Sequence, residues 1–203
     1  MTRAAYAPLL LLTIAFLLTA NARTPAADAR QAKPGSQSGA DLWLARTAKV
    51  KFNLVKSAAL PFEFEIPKKD WMMVGGPGPG AEMQIVATSK NGEGTILVER
   101  TIMRQALDPS DITDLFMELE ADTLKKRQPT GSQLESRIIE GGGRRIVAIE
   151  FTRAGLAGAE RARQYSFPIG ESLYRLTCAA PAGAFDKFAP VCAHIAASFA
   201  ARE

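Results

Sequence analysis

Histidine is almost absent from this chain: His194 is the only one in 203 residues. That excludes a metal site built on two or more imidazoles. Any Ser-His-Asp triad would have to use His194, and no nucleophile-elbow sequence accompanies it. Cys192 and His194 do not form a substitute pair, because residues two apart on a helix project about 200° apart. The expectation is a histidine on a helix surface. A strong charge of one sign is also lacking. Lys and Arg total 25 against 21 Asp and Glu, for a net charge of +4. The tight basic clusters, Lys125-Lys126-Arg127 and Arg144-Arg145, lack the interleaved aromatics of a nucleic-acid surface, so no nucleic-acid partner is expected. No apolar run reaches the length of about 18 residues that reads as a membrane span.

Two motif-like stretches resolve into bland readings. The loop Gly75-Gly76-Pro77-Gly78-Pro79-Gly80 has no following Lys and Ser/Thr and leads into a strand, so it is not a phosphate cradle. Asp111, Asp114, Glu118 and Asp122 share one side of a helix, but a helix surface rarely converges enough oxygens on one ion. A solvated face is expected, with no catalytic residue, metal or cofactor.

What the chain does have begins at its N-terminus. Arg3, the apolar run Leu9–Leu18 and the small-residue ending Thr19-Ala20-Asn21-Ala22 read as an export signal over residues 1–22. The chain is then expected to be periplasmic or secreted, the alternative being an uncleaved anchor. Residues 23–41 are rich in Ala, Pro, Gly, Ser and Gln and cannot bury enough surface to offset ordering, which predicts a disordered linker. Residues 42–203 form one α+β domain.

Within that domain, Val50, Phe52 and Leu54 alternate with polar residues, as do Phe62, Phe64 and Ile66, predicting an antiparallel pair of strands. Ile96 and Val98, with Thr101, mark a further strand. Asp108, Pro109 and Asp111 carry the start signals of a first helix with an apolar face of Ile112, Leu115, Phe116 and Leu119. Lys125-Lys126-Arg127 and Pro129 end it. A four-strand meander follows, in which Val147, Ile149 and Phe151 share a face, Arg161, Arg163, Tyr165 and Phe167 share another, and Tyr174, Leu176 and Cys178 a third. A closing helix carries Phe185, Phe188, Cys192, Ile195 and Phe199 in one stripe, interrupted by Pro190.

Cys178 on the last strand and Cys192 on the closing helix project toward the same interface. In an exported chain they are a disulfide candidate worth about 3 kcal/mol for a loop of roughly 15 residues; two buried free thiols are the alternative. Trp71 reads either as a plug over one end of the core or, with Met72 and Met73, as a ligand or partner surface.

The order of these elements, with Ile66-Pro67-Lys68-Lys69-Asp70-Trp71 after a strand, Tyr174-Arg175-Leu176-Thr177-Cys178 ending the meander and Ser198-Phe199 closing the last helix, resembles the PsbP-like superfamily. That superfamily includes the photosystem II subunit PsbP and bacterial envelope proteins of the DcrB type. The resemblance covers about residues 48–200. It implies an antiparallel sheet of about six or seven strands with helices on both faces, an α/β/α sandwich. It also implies a non-catalytic role in binding or assembly, so the expected partner is an envelope protein. A carrier of a small apolar ligand or lipid is the alternative, with Gly75–Gly80 and Met72-Met73 as its lid.

Overall fold

A computed structural model describes residues 50–56, 62–73, 84–141, 144–155 and 158–202. The proposed signal, the linker and the Gly75–Gly80 loop lie outside the described residues. Alternating apolar side chains build a seven-stranded antiparallel sheet in the order β3-β4-β5-β9-β8-β7-β6. Its strands are β3 (Trp71–Met73), β4 (Gln84–Ser89), β5 (Thr95–Ile102), β6 (Ser132–Gly141), β7 (Arg144–Gly155), β8 (Gly158–Ile169) and β9 (Ser172–Pro181). The four-strand meander is therefore β6 to β9, with each strand paired to the next. Strand β9 then docks against β5, with Ile96 opposite Cys178 and Val98 opposite Leu176.

Two helices cover opposite faces, giving the α/β/α sandwich. Helix α1 (Asp114–Arg127) packs over Val147, Ile149, Phe151, Ala162 and Ala179. Helix α2 (Phe185–Ser198) covers the other face, where Ile146, Tyr165, Leu176 and Cys178 point. All five stripe residues, Phe185, Phe188, Cys192, Ile195 and Phe199, are buried. The first two strands do not join the main sheet. Instead β1 (Phe52–Val55) and β2 (Phe62–Pro67) pair antiparallel, and the terminal β10 (Ala200–Ala201) adds to β2 as a separate three-stranded sheet.

Three details depart from the sequence reading. The Asp108-Pro109-Asp111 signal caps a 3-10 turn, Pro109–Asp111, through a 2.8 Å bond from Asp108 N to Asp111 Oδ2. The helix itself begins at Asp114, where Thr113 Oγ1 accepts from Phe116 N. Helix α1 is also rotated, so that Leu115 and Leu119 are 64% and 56% exposed while Glu120 and Leu124 are buried. In β1, Leu54 faces solvent, while Phe52 and Val55 pack on the core.

Phe199 is the hub of the α2-side core. Its ring lies 4.8 Å from Phe167, 5.0 Å from Phe62 and 5.7 Å from Tyr174. These partners come from β8, β2 and β9, so one side chain joins both sheets to the end of α2. Phe199→Ala should cost about 3–5 kcal/mol in equilibrium denaturation, the range for truncating a buried aromatic. A loss under about 1 kcal/mol, the scale of a conservative surface change, would show that the cluster is not the hub.

Candidate functional site

The turn Pro67–Asp70 carries the chain from β2 to the edge of the main sheet. Asp70 adopts a left-handed conformation with φ of 63°, which a short polar side chain tolerates better than most. Its carbonyl accepts from Lys90 N at 2.7 Å, and Lys68 N donates to Lys51 O at 2.8 Å. The turn is thereby fastened on both sides, and it delivers Trp71 against α2. The indole stacks on Phe188 at 5.7 Å and 14°. Gly94 makes room for this pair, since a Cβ there would stand 2.9 Å from the Phe188 ring.

Around the stack lies an open cleft of about 430 Å³. Trp71, Phe188, Val50 and Val191 give it apolar walls, and Lys69, Asp70, Glu93 and Lys187 give it a rim of both signs. Of the three residues singled out by sequence, only Trp71 lines this cleft. Met72 and Met73 are 46% and 41% exposed, and strand alternation sends Met72 to the opposite face. The three do not converge on one site.

His194 is not on a surface. It is buried, stacked on Phe52 at 3.6 Å, and its Nε2 lies 2.6 Å from Glu65 Oε2. Ser198 Oγ, in turn, accepts from Glu65 N at 2.8 Å. These bonds tie β1 and β2 to α2 and occupy the one imidazole. Among the described residues, no group of three or more His, Cys, Asp and Glu side chains is placed to hold a metal ion.

Two buried acid–arginine sets, unforeseen from sequence, clamp the helices. Glu120 of α1 takes two bonds from Arg175, at 2.8 and 2.7 Å, and one from Ser166 Oγ at 2.6 Å. Arg175 also donates to Thr101 Oγ1. On the other face, Glu150 accepts from Arg163 and Arg161, and Arg161 reaches Asp186 in the first turn of α2 at 2.9 Å. Every charge here is matched, so these sets read as fasteners. A smaller cleft of about 300 Å³ is lined in part by Arg144 and Arg145. Arg144 donates to the Phe199 carbonyl and Arg145 pairs with Glu140.

Cys178 and Cys192 are both buried, and both are free thiols. They meet as the strand and helix periods place them. Burial pushes the Cys178 thiol well above its ordinary range, and the hydrogen bond to Cys192 adds to this. Tyr165 is likewise pushed up, mainly by burial.

Compared by sequence, the chain matches no family model and no curated protein. Compared by structure, its fold is that of the PsbP-like proteins. It is similar to the solution structure of cyanobacterial PsbP (CyanoP) from Synechocystis, at 11% identity and a TM-score of 0.59, over 75% of this chain and 94% of that one. LpqN, involved in cell envelope biogenesis of Mycobacterium tuberculosis, is similar at 12% identity and a TM-score of 0.50, over 76% and 92% of the two chains. A protein from Bacteroides thetaiotaomicron is similar at 13% identity and a TM-score of 0.52, over 74% of this chain. This chain spans about half the length of that one (48%).

The thiol environment fixes the sign of a pH effect. The folded chain holds a proton on Cys178 that the unfolded chain releases near pH ~8.5. That contribution to stability is complete below the ordinary thiol range and is lost as pH rises from there toward the raised folded value. Tyr165 acts in the same direction at higher pH. Thermal melts of the reduced protein should therefore show a falling Tm above about pH 8.5. A flat Tm into the tyrosine range would contradict the burial argument.

Proposed function

We propose that this chain is a non-catalytic, exported protein-binding module of the cell envelope, and that the Trp71–Phe188 cleft receives the partner. The observation that carries the reading is a half-buried tryptophan stacked at the floor of an open cleft whose rim holds both charge signs. Aromatic floors ringed by polar groups are where binding energy concentrates in protein interfaces. The occupant is an extended segment of an envelope protein that inserts one large apolar side chain between charged flanks. The N-terminal pattern supports export, with residues 1–22 as signal, 23–41 as linker and 42–203 as the folded domain. One fold relative, LpqN, is involved in cell envelope biogenesis, which supports an envelope role, but the partner does not follow from it.

The test is site-specific photocrosslinking in cells, with the probe at Lys187 on the rim and, as control, at Glu118 on α1, over the opposite face of the sheet. Adducts from Lys187 in the fraction outside the cytoplasm, absent from Glu118 and lost with Trp71→Ala, are expected. A chain retained in the cytoplasm, or adducts indifferent to Trp71, would overturn the proposal. A cleft of this volume also falls within the range of small-ligand sites, so a small apolar ligand or lipid is the second reading. Native mass spectrometry decides between them: a co-purified small molecule displaced by Trp71→Ala favours the carrier.

We also propose that export oxidises Cys178 and Cys192 to a disulfide. The two thiols would give up two protons and two electrons to a thiol–disulfide oxidant of the envelope. Intact mass should then fall by two hydrogens relative to the reduced chain, and neither cysteine should alkylate without reductant. Ready alkylation of both in the unfolded, unreduced protein would refute the bond.

A further inference from the structure

The main sheet has two ends. Strand β3, beside the cleft, is one; the other is β6, whose outer edge pairs with no strand among the described residues. Edge strands usually escape unwanted pairing by being short or by carrying proline or lysine. Strand β6 is ten residues long and contains neither. It has a bulge at Leu134, between Gln133 and Glu135, which interrupts the ladder near its start.

The sequence beyond the bulge residue Leu134 is self-complementary. Glu135-Ser136-Arg137 reads acid, hydroxyl, base. Laid antiparallel against a second copy with Ser136 opposite Ser136, it sets Glu135 against Arg137 twice, a favourable cross-strand pair. The neighbouring twofold registers are disfavoured: one sets Glu135 against Glu135, the other Arg137 against Arg137. Leu134 is 51% exposed, and Glu135 and Arg137 already pair within the strand, so their charges stand at the edge.

We propose that the outer edge of β6 binds a second copy of this chain, through an antiparallel pairing centred on Ser136. A twofold axis perpendicular to the sheet relates the copies, making the contact isologous. It joins two seven-stranded sheets into one and leaves both α1 helices on the same side.

Light scattering on the purified full chain should report twice the 21.8 kDa chain mass. Arg137→Glu places four carboxylates along the contact and should return the protein to a monomer. Combining it with Glu135→Arg restores opposite charges and should restore the dimer, with near-UV circular dichroism confirming that each variant is folded. A second variant does not depend on charge. Ser136→Cys puts a thiol opposite its own copy on the axis, so mild oxidation should yield a covalent dimer, whereas Ser132→Cys should not. A monomer at every concentration would overturn the proposal. So would a dimer indifferent to Arg137→Glu, failure of the double variant to reassociate, or equal crosslinking at positions 136 and 132.

Discussion

The fold depends on one aromatic ring near the end of the chain. Phe199 is the residue on which β2, β8, β9 and the end of α2 converge, and it brings together segments more than a hundred residues apart in sequence. Before that ring is seated, the small sheet of β1, β2 and β10 has no lid and the α2-side core has an open centre. The preceding residue completes the closure: Ser198 Oγ accepts from Glu65 N and donates to Ile195 O at 2.8 Å. Contacts of such long range are entropically expensive to close. Packing a large apolar ring and satisfying a buried backbone donor at the same point supplies two independent returns for one closure.

The helices are placed by charge as well as by packing. Glu120–Arg175 holds α1, and Glu150 with Arg163 and Arg161 holds the start of α2, on opposite faces of the same sheet. Buried ion pairs are weak evidence for stability, because desolvation offsets most of the attraction. Their effect here is on orientation. Apolar packing alone would let α1 turn Leu115 and Leu119 inward, as its sequence suggests. Leaving Arg175 buried without Glu120 would cost several kcal/mol, about 3–5 in comparable cases. That penalty is of the same size as the roughly 3–6 kcal/mol from burying two leucines, so the ion pair competes on equal terms with the apolar face, and the helix settles with Glu120 down and both leucines out.

This competition explains what could and could not be read in advance. Strand alternation located Phe62, Phe64 and Ile66 and the meander β6–β9, and helical spacing located the buried stripe of α2, because a single period suffices in each. The two periods together brought Cys178 and Cys192 to one interface. The alternation of Tyr174, Leu176 and Cys178 marks only one face of β9, yet Ser172 through Ala180 are all buried. The available signal was the polar run Gln164, Ser166, Arg175 and Thr177 at positions facing α1, which asks for a polar residue on the covering helix. Glu120, among so many exposed acids, gave no sign of being that residue. His194 was misplaced for a related reason: its partners, Phe52 and Glu65, lie more than a hundred residues away, beyond the reach of any local pattern. Trp71 stood out in the sequence as a plug or a contact residue, but its neighbour Phe188 and the gap left by Gly94 emerge only in three dimensions.

The two surfaces argued above have a joint geometric consequence. The Trp71 cleft adjoins β3 and the self-complementary edge is β6, at opposite ends of one sheet. Pairing through β6 therefore leaves both clefts facing outward, at the far ends of the joined sheet. At about 4.8 Å per strand, they stand roughly 60 Å apart before twist is considered. Two weak sites held at a fixed distance favour a partner that repeats on that scale, because the second contact forms at the effective concentration set by the first. Such a partner would be a lattice or a paired assembly, and a lone soluble peptide would gain nothing from the arrangement. On the proposed pairing, a cleft of modest area on each copy would suffice for attachment to a repeating structure, because neither site would need to hold alone.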